Sequence, residues 1–412
     1  MTNFATRVPL AATLAGLAMA AVALTGAAPA SAASTPPTPV VGAPASTSAY
    51  YEHNDLLYLS GVAEGDIYSS MFSFDGTTFT QVPGSPVGPT QFHTLGNQLI
   101  FEAIVDINAL PSYAYGLFTY DGTTITQVPA PFESPNNFVS VGSVAYFQAT
   151  VGGEVQLWQY DGSVASPVAG GDVSPSRLST YDGKVYFEGD TDPTPGEART
   201  LFSYDPATPS TPAAAVAGAP VGASELVAYD GLAYFGADGS LYSFDGASTF
   251  ALVDIAPATS AGGLTVFDGA LYFTGGTSGF GNVFTYAGGA TTEFAGALTE
   301  TQTYVEYNGR LYYLGFANGE PLMNVIEAGE VSVLEGSPEY TFNMTVFQGK
   351  LYFSGDRDDA SNIMFVLETD PPSQTAPTLA STGSEFGTPA LIALALLMVG
   401  AVALAGTRLR RA

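Results

Sequence analysis

The sequence has no cysteine, only two histidines and a single tryptophan among its 412 residues. Without cysteine the chain can form no disulfide and can supply no thiol nucleophile. Two histidines are too few for a histidine-rich metal site. A serine triad would need His53 or His93, and neither is set beside an obvious nucleophile motif. We therefore predict that both histidines are structural and that thiol chemistry is excluded.

Positive charge is also scarce. The chain has 10 lysines and arginines against 38 aspartates and glutamates, which gives a formal net charge of −28. A surface of this sign repels nucleic acid and anionic lipid, and it favours solubility or cations. We therefore expect no nucleic-acid partner, although acidity alone says little about function.

The first 32 residues have the features of a secretory signal peptide. One early cation, Arg7, precedes an apolar stretch from Val8 to Leu24. The segment closes with Ala30-Ser-Ala32, which is the small-x-small pattern of a cleavage site. We predict that the chain is exported and is cut after Ala32.

The last 34 residues contain three parts in a fixed order. The motif Leu379-Ala-Ser-Thr-Gly383 is followed by an apolar span over residues 389–406 and a basic tail over residues 407–412. Together they resemble a sortase cell-wall sorting signal of the Leu-Ala-x-Thr-Gly type, familiar from high-GC Gram-positive (actinobacterial) bacteria. The alternative is a plain single-span anchor, since 18 apolar residues can just cross a bilayer.

The resemblance to a sorting signal implies a particular processing reaction. The processing residues would be Leu379, Ala380, Thr382 and Gly383, with cleavage between Thr382 and Gly383. Thr382 would then be joined to peptidoglycan, so sortase and peptidoglycan would be partners. Under either interpretation the body of the protein is displayed outside the cell.

The exported body is more acidic than the whole chain. Once both ends are removed it keeps 6 lysines and arginines against 37 acids, a net charge of −31. Residues 371–388 are rich in Pro, Ser, Thr and Gly, which predicts a tether that carries the sorting motif. The folded part is then residues 33–370.

A short phrase, typically Asp-Gly-x-Leu-Tyr-Phe, recurs through that folded part. Its last positions step by 42, 46, 40, 48, 38, 40 and 40 residues. A period near forty with strand-forming residues is typical of a radial or solenoid array. The eight copies end at Leu59, Phe101, Phe147, Phe187, Phe235, Phe273, Tyr313 and Phe353.

Three further segments accompany the phrase in most repeats. A second phrase such as Leu117-Phe-Thr-Tyr-Asp-Gly122 predicts a strand and a tight turn, and a third strand follows at positions such as 124–128. A short strand, for example Gln91–Thr94 or Phe138–Ser140, leads into the next copy. We treat the Pro/Gly/Ser-rich stretch at 83–90 as a connection.

Four antiparallel strands per repeat predict an all-β fold, an eight-bladed β-propeller. The last repeat lacks an outer strand after Leu367, and residues 38–47 match the missing segment. We therefore expect the N-terminal segment to close the ring as the outer strand of the last blade. Seven blades with a divergent end are the alternative.

The paired phrases resemble bacterial surface repeats that carry Asn/Asp-Gly-x-Leu-Tyr-Phe and Leu-Trp/Phe-x-Tyr-Asp-Gly. The resemblance covers all eight repeats and implies a propeller, but its motifs are structural and imply no activity. The pattern is not that of WD40 repeats, because Trp158 is the only tryptophan.

The loops between the two phrases vary most and are the candidate contact surface. Tyr113, Tyr115, Phe280 and Phe316 are candidate ligand-binding residues, because an exposed aromatic ring can stack on a sugar or anchor a protein. The alternative is that these rings only cover the packing of their own loops.

Acidic residues in two of the loops suggest calcium, which prefers hard oxygen ligands. Neither loop completes an EF-hand, so solvated acidic loops are the alternative. The repeated aspartates before glycine, such as Asp75 and Asp121, are predicted to be turn residues. The candidate calcium ligands are Asp190, Asp192, Asp356, Asp358 and Asp359.

These observations favour a secreted, wall-anchored binding or adhesion module that presents a loop face to a glycan or protein. We predict no catalytic residues and no cofactor other than calcium. A carboxylate-dependent glycan hydrolase or lyase is the first alternative, since it needs only two suitably separated acids. A structural surface component without a specific ligand is the second.

Overall fold

The computed structural model describes residues 35–108, 113–190, 199–278, 280–317, 320–327, 329–357 and 360–368. Every regular element in this part of the chain is a β-strand, and the strands form eight four-stranded antiparallel blades in a ring. The predicted all-β class and the eight-bladed propeller are confirmed, and the seven-bladed alternative is wrong.

The chain enters the ring through β1 (Thr38–Pro39) and then builds blades in sequence order from the axis outward. Blade 1 consists of β2 (Ala45–His53), β3 (Leu56–Val62), β4 (Ser69–Phe74) and β5 (Phe79–Gln81). Blade 2 consists of β6 (Val87–Leu95), β7 (Gln98–Ile104), β8 (Tyr115–Tyr120) and β9 (Ile125–Gln127). Blade 3 consists of β10 (Glu133–Val141), β11 (Val144–Val151), β12 (Glu154–Tyr160) and β13 (Ala165–Pro167).

The next blades repeat this order with shorter strands. Blade 4 consists of β14 (Ser176–Tyr181), β15 (Lys184–Gly189), β16 (Thr200–Tyr204) and β17 (Ala214–Ala215). Blade 5 consists of β18 (Val227–Tyr229), β19 (Leu232–Ala237), β20 (Ser240–Phe244) and β21 (Phe250–Val253).

Blades 6 and 7 share one continuous strand and so form a single seven-stranded sheet. Blade 6 consists of β22 (Gly262–Phe267), β23 (Ala270–Ser278), β24 (Phe280–Ala287) and the first part of β25 (Ala290–Tyr307). Blade 7 consists of the second part of β25 with β26 (Arg310–Ala317), β27 (Glu320–Glu327) and β28 (Glu330–Val333). Blade 8 consists of β29 (Glu339–Phe347), β30 (Lys350–Arg357), β31 (Ala360–Leu367) and β1.

The N-terminal strand closes the ring, as the complementary ends of the repeat array predict. Thr38 lies opposite Val366 and Pro39 lies opposite Phe365 in an antiparallel pair. The Val40 N–H donates to the Met364 carbonyl at 2.9 Å, which continues the ladder by one residue. The first and last segments of the repeat array therefore complete one sheet.

The Leu-Tyr-Phe phrase forms the second strand of each blade, and both faces of that strand are covered. In blade 1, Leu57 and Leu59 pack in the cluster shared with blade 8. Tyr58, between them, packs in the cluster shared with blade 2. Successive side chains of a strand point to opposite faces, so a strand between two neighbours needs apolar residues at consecutive positions.

Each of the eight contacts between neighbouring blades has its own hydrophobic cluster, including the contact between blades 8 and 1. The core is therefore a ring of interfaces rather than one central mass. This arrangement replaces the disulfides that many exported domains use, because a long repeat array buries enough apolar area without them.

The recurrent aspartates are turn residues, as predicted. Asp75 Oδ1 accepts hydrogen bonds from the N–H groups of Thr77 at 2.8 Å and Thr78 at 2.7 Å. Gly76 follows with φ +96°, a conformation that glycine adopts without steric cost. The hydroxyl of Thr77 and these backbone donors hold the pKa of Asp75 below its usual value.

The inner strands are longer than the sequence suggested. The expected strand Gln91–Thr94 is part of β6, which begins at Val87, and the expected strand Phe138–Ser140 is part of β10, which begins at Glu133. Residues 87–90 were therefore wrongly treated as a connection. Pro89 fits within β6 because the strand lies at the axis edge of its sheet, where no further strand needs its N–H.

Candidate functional site

Repeated bulges shape the surface around the propeller axis. In blade 2, β6 pairs with β7 at Val87–Ile104, Thr90–Glu102 and His93–Ile100. From one of these pairs to the next, the inner strand advances by three residues while its partner advances by two. The inner strands of blades 1, 3 and 8 have the same double irregularity. A bulge bends its strand and re-aims a side chain, and bulges are common at binding sites.

In six blades the inner strand has a left-handed residue at the same position of its bulge, and in blades 1, 2, 3 and 8 a second left-handed residue lies three positions upstream. The φ angles at the shared position lie between 52° and 55°. The equivalent positions in blades 5 and 7 are Glu225 and Thr303. We call the six the bulge residues: Ala49, Gln91, Asn137, Arg177, Gly263 and Asn343.

Three bulge residues from adjacent blades, Ala49, Gln91 and Asn343, line an open cavity of about 400 Å³ on the axis side of blades 8, 1 and 2. We call it the axial cavity. All of its wall comes from inner strands. The lining residues are Ser48, Ala49, Tyr50, Tyr51, Thr90, Gln91, Phe92 and Asn343.

Three side chains of the axial cavity are available for a ligand. Three lining residues make no side-chain hydrogen bond to any residue that the structure describes: Ser48, Gln91 and Asn343. A hydroxyl and two amides provide both donors and acceptors. The cavity can therefore satisfy a ligand that itself has both kinds of group.

The two tyrosines of the wall are held in place. Tyr50 Oη lies 2.6 Å from Thr47 Oγ1 and accepts a hydrogen bond from Ser354 Oγ at 2.9 Å. Burial raises the pKa of Tyr50 to about 12. Tyr51 Oη accepts a hydrogen bond from the Thr94 N–H at 3.0 Å. Hydrogen bonds at their hydroxyl ends therefore hold both rings in fixed positions.

One carboxylate lies directly behind the cavity wall. Thr90 Oγ1 donates to Glu102 Oε2 at 3.2 Å, and the two residues are opposite each other in the β6–β7 ladder. Burial raises the pKa of Glu102, although the Thr90 hydrogen bond opposes that shift. The Glu102 carboxylate therefore places negative rather than positive charge next to the cavity.

Both histidines join neighbouring blades. His53 Nδ1 lies 3.0 Å from Thr94 Oγ1, and His93 Nε2 lies 2.7 Å from Ser140 Oγ. The His93 ring is stacked on Phe138, with ring centroids 6.0 Å apart. Burial lowers the pKa of each histidine. Through these contacts both histidines stabilise the packing of one blade against the next, which agrees with the predicted structural role.

A second polar group lies in blade 4, away from the cavity. Glu188 is buried, and its Oε2 accepts hydrogen bonds from Ser176 Oγ at 3.0 Å and lies 3.1 Å from Arg199 Nε. Arg177, a bulge residue, has its NH1 group 3.8 Å from Glu188 Oε1. The carboxylate is thus neutralised within its own blade, which suits a structural ion pair better than a catalytic acid.

Of the four aromatic residues predicted to bind a ligand, Tyr113 and Tyr115 do not line the axial cavity. Tyr113 is on the loop between β7 and β8 with 36 % of its surface exposed, and Tyr115 begins β8 opposite Ile104. Phe280 and Phe316 were expected in loops, and this is wrong. Phe280 lies in β24 opposite Ser278, and Phe316 lies in β26 opposite Pro321. These hairpins pair almost to their turns, so the strands take up residues that the pattern assigned to loops.

The proposed calcium ligands are not brought together in the described residues. Asp356 lies in β30, where its Oδ1 accepts the Asn362 N–H at 2.8 Å, and Asp190 follows β15, where its N–H donates to the Val173 carbonyl at 2.7 Å. Within the described ranges, no three His, Asp or Glu residues form a group that could hold a metal. Asp192, Asp358 and Asp359 lie outside those ranges, so calcium binding stays a prediction.

The processing residues Ala32, Leu379, Ala380, Thr382 and Gly383 also lie outside the described residues, as does the apolar span 389–406. None of the described elements is a helix able to cross a membrane. The two cleavages and the anchor therefore stay predictions.

Sequence reasoning missed Ser48, Gln91 and Asn343. One signal could have found two of them. When the repeats are aligned on the Leu-Tyr-Phe phrase, one upstream position varies freely between blades, while the position directly after it is always aromatic or aliphatic. The residues at that position are Ala49, Gln91, Asn137, Arg177, Glu225, Gly263, Thr303 and Asn343.

No protein-family model matches the sequence, and the search of curated proteins gave no match. Solved structures do resemble the ring. One report describes two prolyl endopeptidases, and its matching chain has a TM-score of 0.50 at 10 % identity, covering 76 % of this chain and 55 % of that one. The acylaminoacyl peptidase of Pyrococcus horikoshii matches with a TM-score of 0.41 at 9 % identity, over 68 % of this chain and 50 % of that one.

The β-propeller domain of the trilobed protease from Pyrococcus furiosus has a TM-score of 0.45 at 12 % identity, over 74 % of this chain and 97 % of that domain. This chain spans about half the length of the two peptidase chains and nearly all of the isolated propeller. Identities this low show the fold alone. The strand order and the comparison with the prolyl endopeptidases agree that the chain is a β-propeller.

Proposed function

We propose that the protein is an exported binding module, anchored to the cell wall, that holds an extracellular glycan or protein. The observation that carries this proposal is the axial cavity. It presents uncommitted hydrogen-bonding side chains on a rigid wall, and such convergence of polar groups in a concavity is typical of ligand sites.

The loop face supports the same proposal. The chain crosses from one blade to the next on the face where strands two and three of each blade are joined. On that face, blades 1 and 2 expose Ile67 at 81 % and Val105 at 44 %. Tyr68 and Tyr113 lie in the same two loops. In blade 3 the corresponding loop is only the tight turn Gly152-Gly153. Exposed apolar groups on one face of the ring suit a contact surface.

The wall anchor rests on the Leu379–Gly383 motif, the span and the basic tail. To test it, cells that make the protein are fractionated before and after digestion of the wall. Sorting predicts that wild-type protein is released only by wall digestion, and that replacing Thr382 with Ala moves it to the membrane or the medium. If the wild-type protein is extracted by detergent from intact walls, the plain membrane anchor is correct instead.

The binding function is tested on residues 33–382, the chain that the two cleavages would leave. This protein is screened against glycans, cell-wall fractions and surface proteins, with calcium and with chelator, and each positive is checked for cleavage. Binding without cleavage supports the proposal. Turnover of a polysaccharide that is lost when one carboxylate pair is replaced would instead support the hydrolase.

A further inference from the structure

We infer that the axial cavity is a site for an uncharged saccharide, contacted by the bulge residues of blades 8, 1 and 2. This inference rests on the proposed binding function and narrows it to one ligand class and one place. It uses residues that are distinct from the loop aromatics and acids considered from the sequence.

The backbone geometry of the wall is the first support. Ala49, Gln91 and Asn343 have φ angles of 54°, 54° and 52°. A left-handed residue other than glycine or asparagine is disfavoured, and such strain collects at binding sites. The strain applies to Ala49 and Gln91, and the bulge positions place the amides of Gln91 and Asn343, from non-adjacent parts of the chain, on the lining of one cavity.

The chemistry of the wall is the second support. Ser48, Gln91 and Asn343 offer both donors and acceptors, which matches neighbouring hydroxyls that each donate and accept. Tyr51 adds a fixed aromatic surface on which the C–H face of a sugar ring can pack. An apolar ligand would leave the amides unpaired, and that loss disfavours its binding.

The charge of the site is the third support. No lysine or arginine lines the cavity, and the carboxylate of Glu102 lies behind Thr90. The exported body has a net charge of −31. Uronic-acid, sulfated or sialylated saccharides would be repelled there, so anionic saccharides are disfavoured as ligands.

The size of the cavity sets the scale of the ligand. A volume of about 400 Å³ lies in the lower part of the range for small-molecule pockets, about 300–1,000 Å³. The cavity is open on one side, which suits the end of a chain of sugars.

The experiment measures binding to residues 33–382 by titration calorimetry. The probes are neutral oligosaccharides of glucose, galactose, mannose and N-acetylglucosamine at millimolar concentration, with uronic-acid oligosaccharides as the charged set. We expect at least one neutral probe to bind and the charged set not to bind.

The variants Gln91→Ala and Asn343→Ala should each weaken that binding about 2- to 10-fold, because each removes a hydrogen-bonding side chain. The matched control is Asn137→Ala. Asn137 occupies the same bulge position with φ 55°, but it lies in blade 3 and does not line the cavity. Its backbone strain is the same, so its affinity should stay at the wild-type value. Thermal melting checks that all three variants fold.

Two results would overturn the inference. One is the failure of every neutral probe to bind at millimolar concentration. The other is binding that Gln91→Ala and Asn343→Ala leave unchanged, or that Asn137→Ala weakens equally. If a surface protein binds while all saccharides fail, the proposed binding function survives and the saccharide site does not.

Discussion

Left-handed residues are the most informative feature at the scale of single residues. Asparagine tolerates this conformation, but Gln91 and Ala49 adopt it with no side chain suited to it. The cost is roughly 1–2 kcal/mol for such a residue. The structure around the axis must therefore enforce the geometry, and the bulged ladders of the inner strands do so.

Substitution at Gln91 tests that strain directly. Gln91→Gly should leave the free energy of unfolding unchanged or raise it slightly, because glycine has no Cβ to clash. Gln91→Val should lower it by about 1–2 kcal/mol, since a β-branched side chain fits a positive φ worst. Urea unfolding of both variants measures the difference. Equal stability of the two would show that β6 does not hold this backbone in solution.

The two histidines give a pH dependence with a definite sign. Burial lowers the pKa of His53 and His93, so the folded state disfavours their protonated forms. The stability that the neutral rings contribute is complete above the unfolded value of about 6.5, and it falls as pH drops from there through the folded values. The temperature of the unfolding midpoint should therefore decrease when the pH is lowered from 7.5 to 5.5.

A double variant, His53→Gln with His93→Gln, serves as the control for that experiment. Its thermal midpoint should change less over the same pH interval, because it lacks both titrating rings. Titration of the wild-type histidine resonances by NMR should also give two values below 6.5. Values above 6.5 would contradict the structural role assigned to these residues.

At the scale of strands, the strand that closes the ring, β1, is very short. It has only two paired residues, and Val40 adds one hydrogen bond. Because the chain has no cysteine, no native thiol competes with a pair introduced here. Thr38→Cys with Val366→Cys joins two residues that lie directly opposite each other, which suits the usual disulfide spacing.

This disulfide should raise the free energy of unfolding by about 2–4 kcal/mol, since it closes a long loop in the unfolded chain. The measurement is the thermal midpoint with and without reductant, and the gain should disappear on reduction. Each single cysteine variant is the control. Failure of the pair to oxidise in the folded protein would place β1 elsewhere.

The blades could be predicted from the sequence because their second strands are buried on both faces. A run such as Leu57, Tyr58 and Leu59 is needed wherever a strand lies between two neighbours, so it recurs in every blade. The complementary ends predicted the closure for a similar reason, as every blade needs four strands.

The bulges that shape the cavity could not be predicted, because a bulge breaks the two-residue period by which inner strands are recognised. Gln91 and Ala49 also give no compositional sign of a positive φ, which only glycine and asparagine signal. The loop positions of Phe280 and Phe316 were wrong for a related reason, since pairing extends further along a hairpin than turn residues suggest.

At the scale of the whole molecule, most of the positively charged side chains form ion pairs, whereas acidic side chains are in large excess. Four of the ring's six cations pair with carboxylates: Arg177 and Arg199 with Glu188, Arg310 with Glu327, and Lys350 with Glu368. Arg357 lies over the ring of Phe365. Most of the 37 acids therefore have no positive partner, and they repel one another across the surface.

Salt should consequently stabilise the ring. Raising sodium chloride from about 0.02 M to 0.2 M shortens the screening length and weakens repulsion between exposed acids. The thermal midpoint should rise over that interval, and scanning calorimetry measures it. A sodium sulfate series is unsuitable, because sulfate also strengthens apolar burial. A lower midpoint in sodium chloride would mean that the few ion pairs dominate the electrostatics.

Binding at the axis, between blades 8, 1 and 2, can be tested by hydrogen exchange of residues 33–382, followed by mass spectrometry with and without the neutral oligosaccharides. We expect slower exchange in residues 45–53, 87–95 and 339–347, with residues 133–141 unchanged. Protection confined to other blades, or none with any probe at millimolar concentration, would contradict binding at the axis.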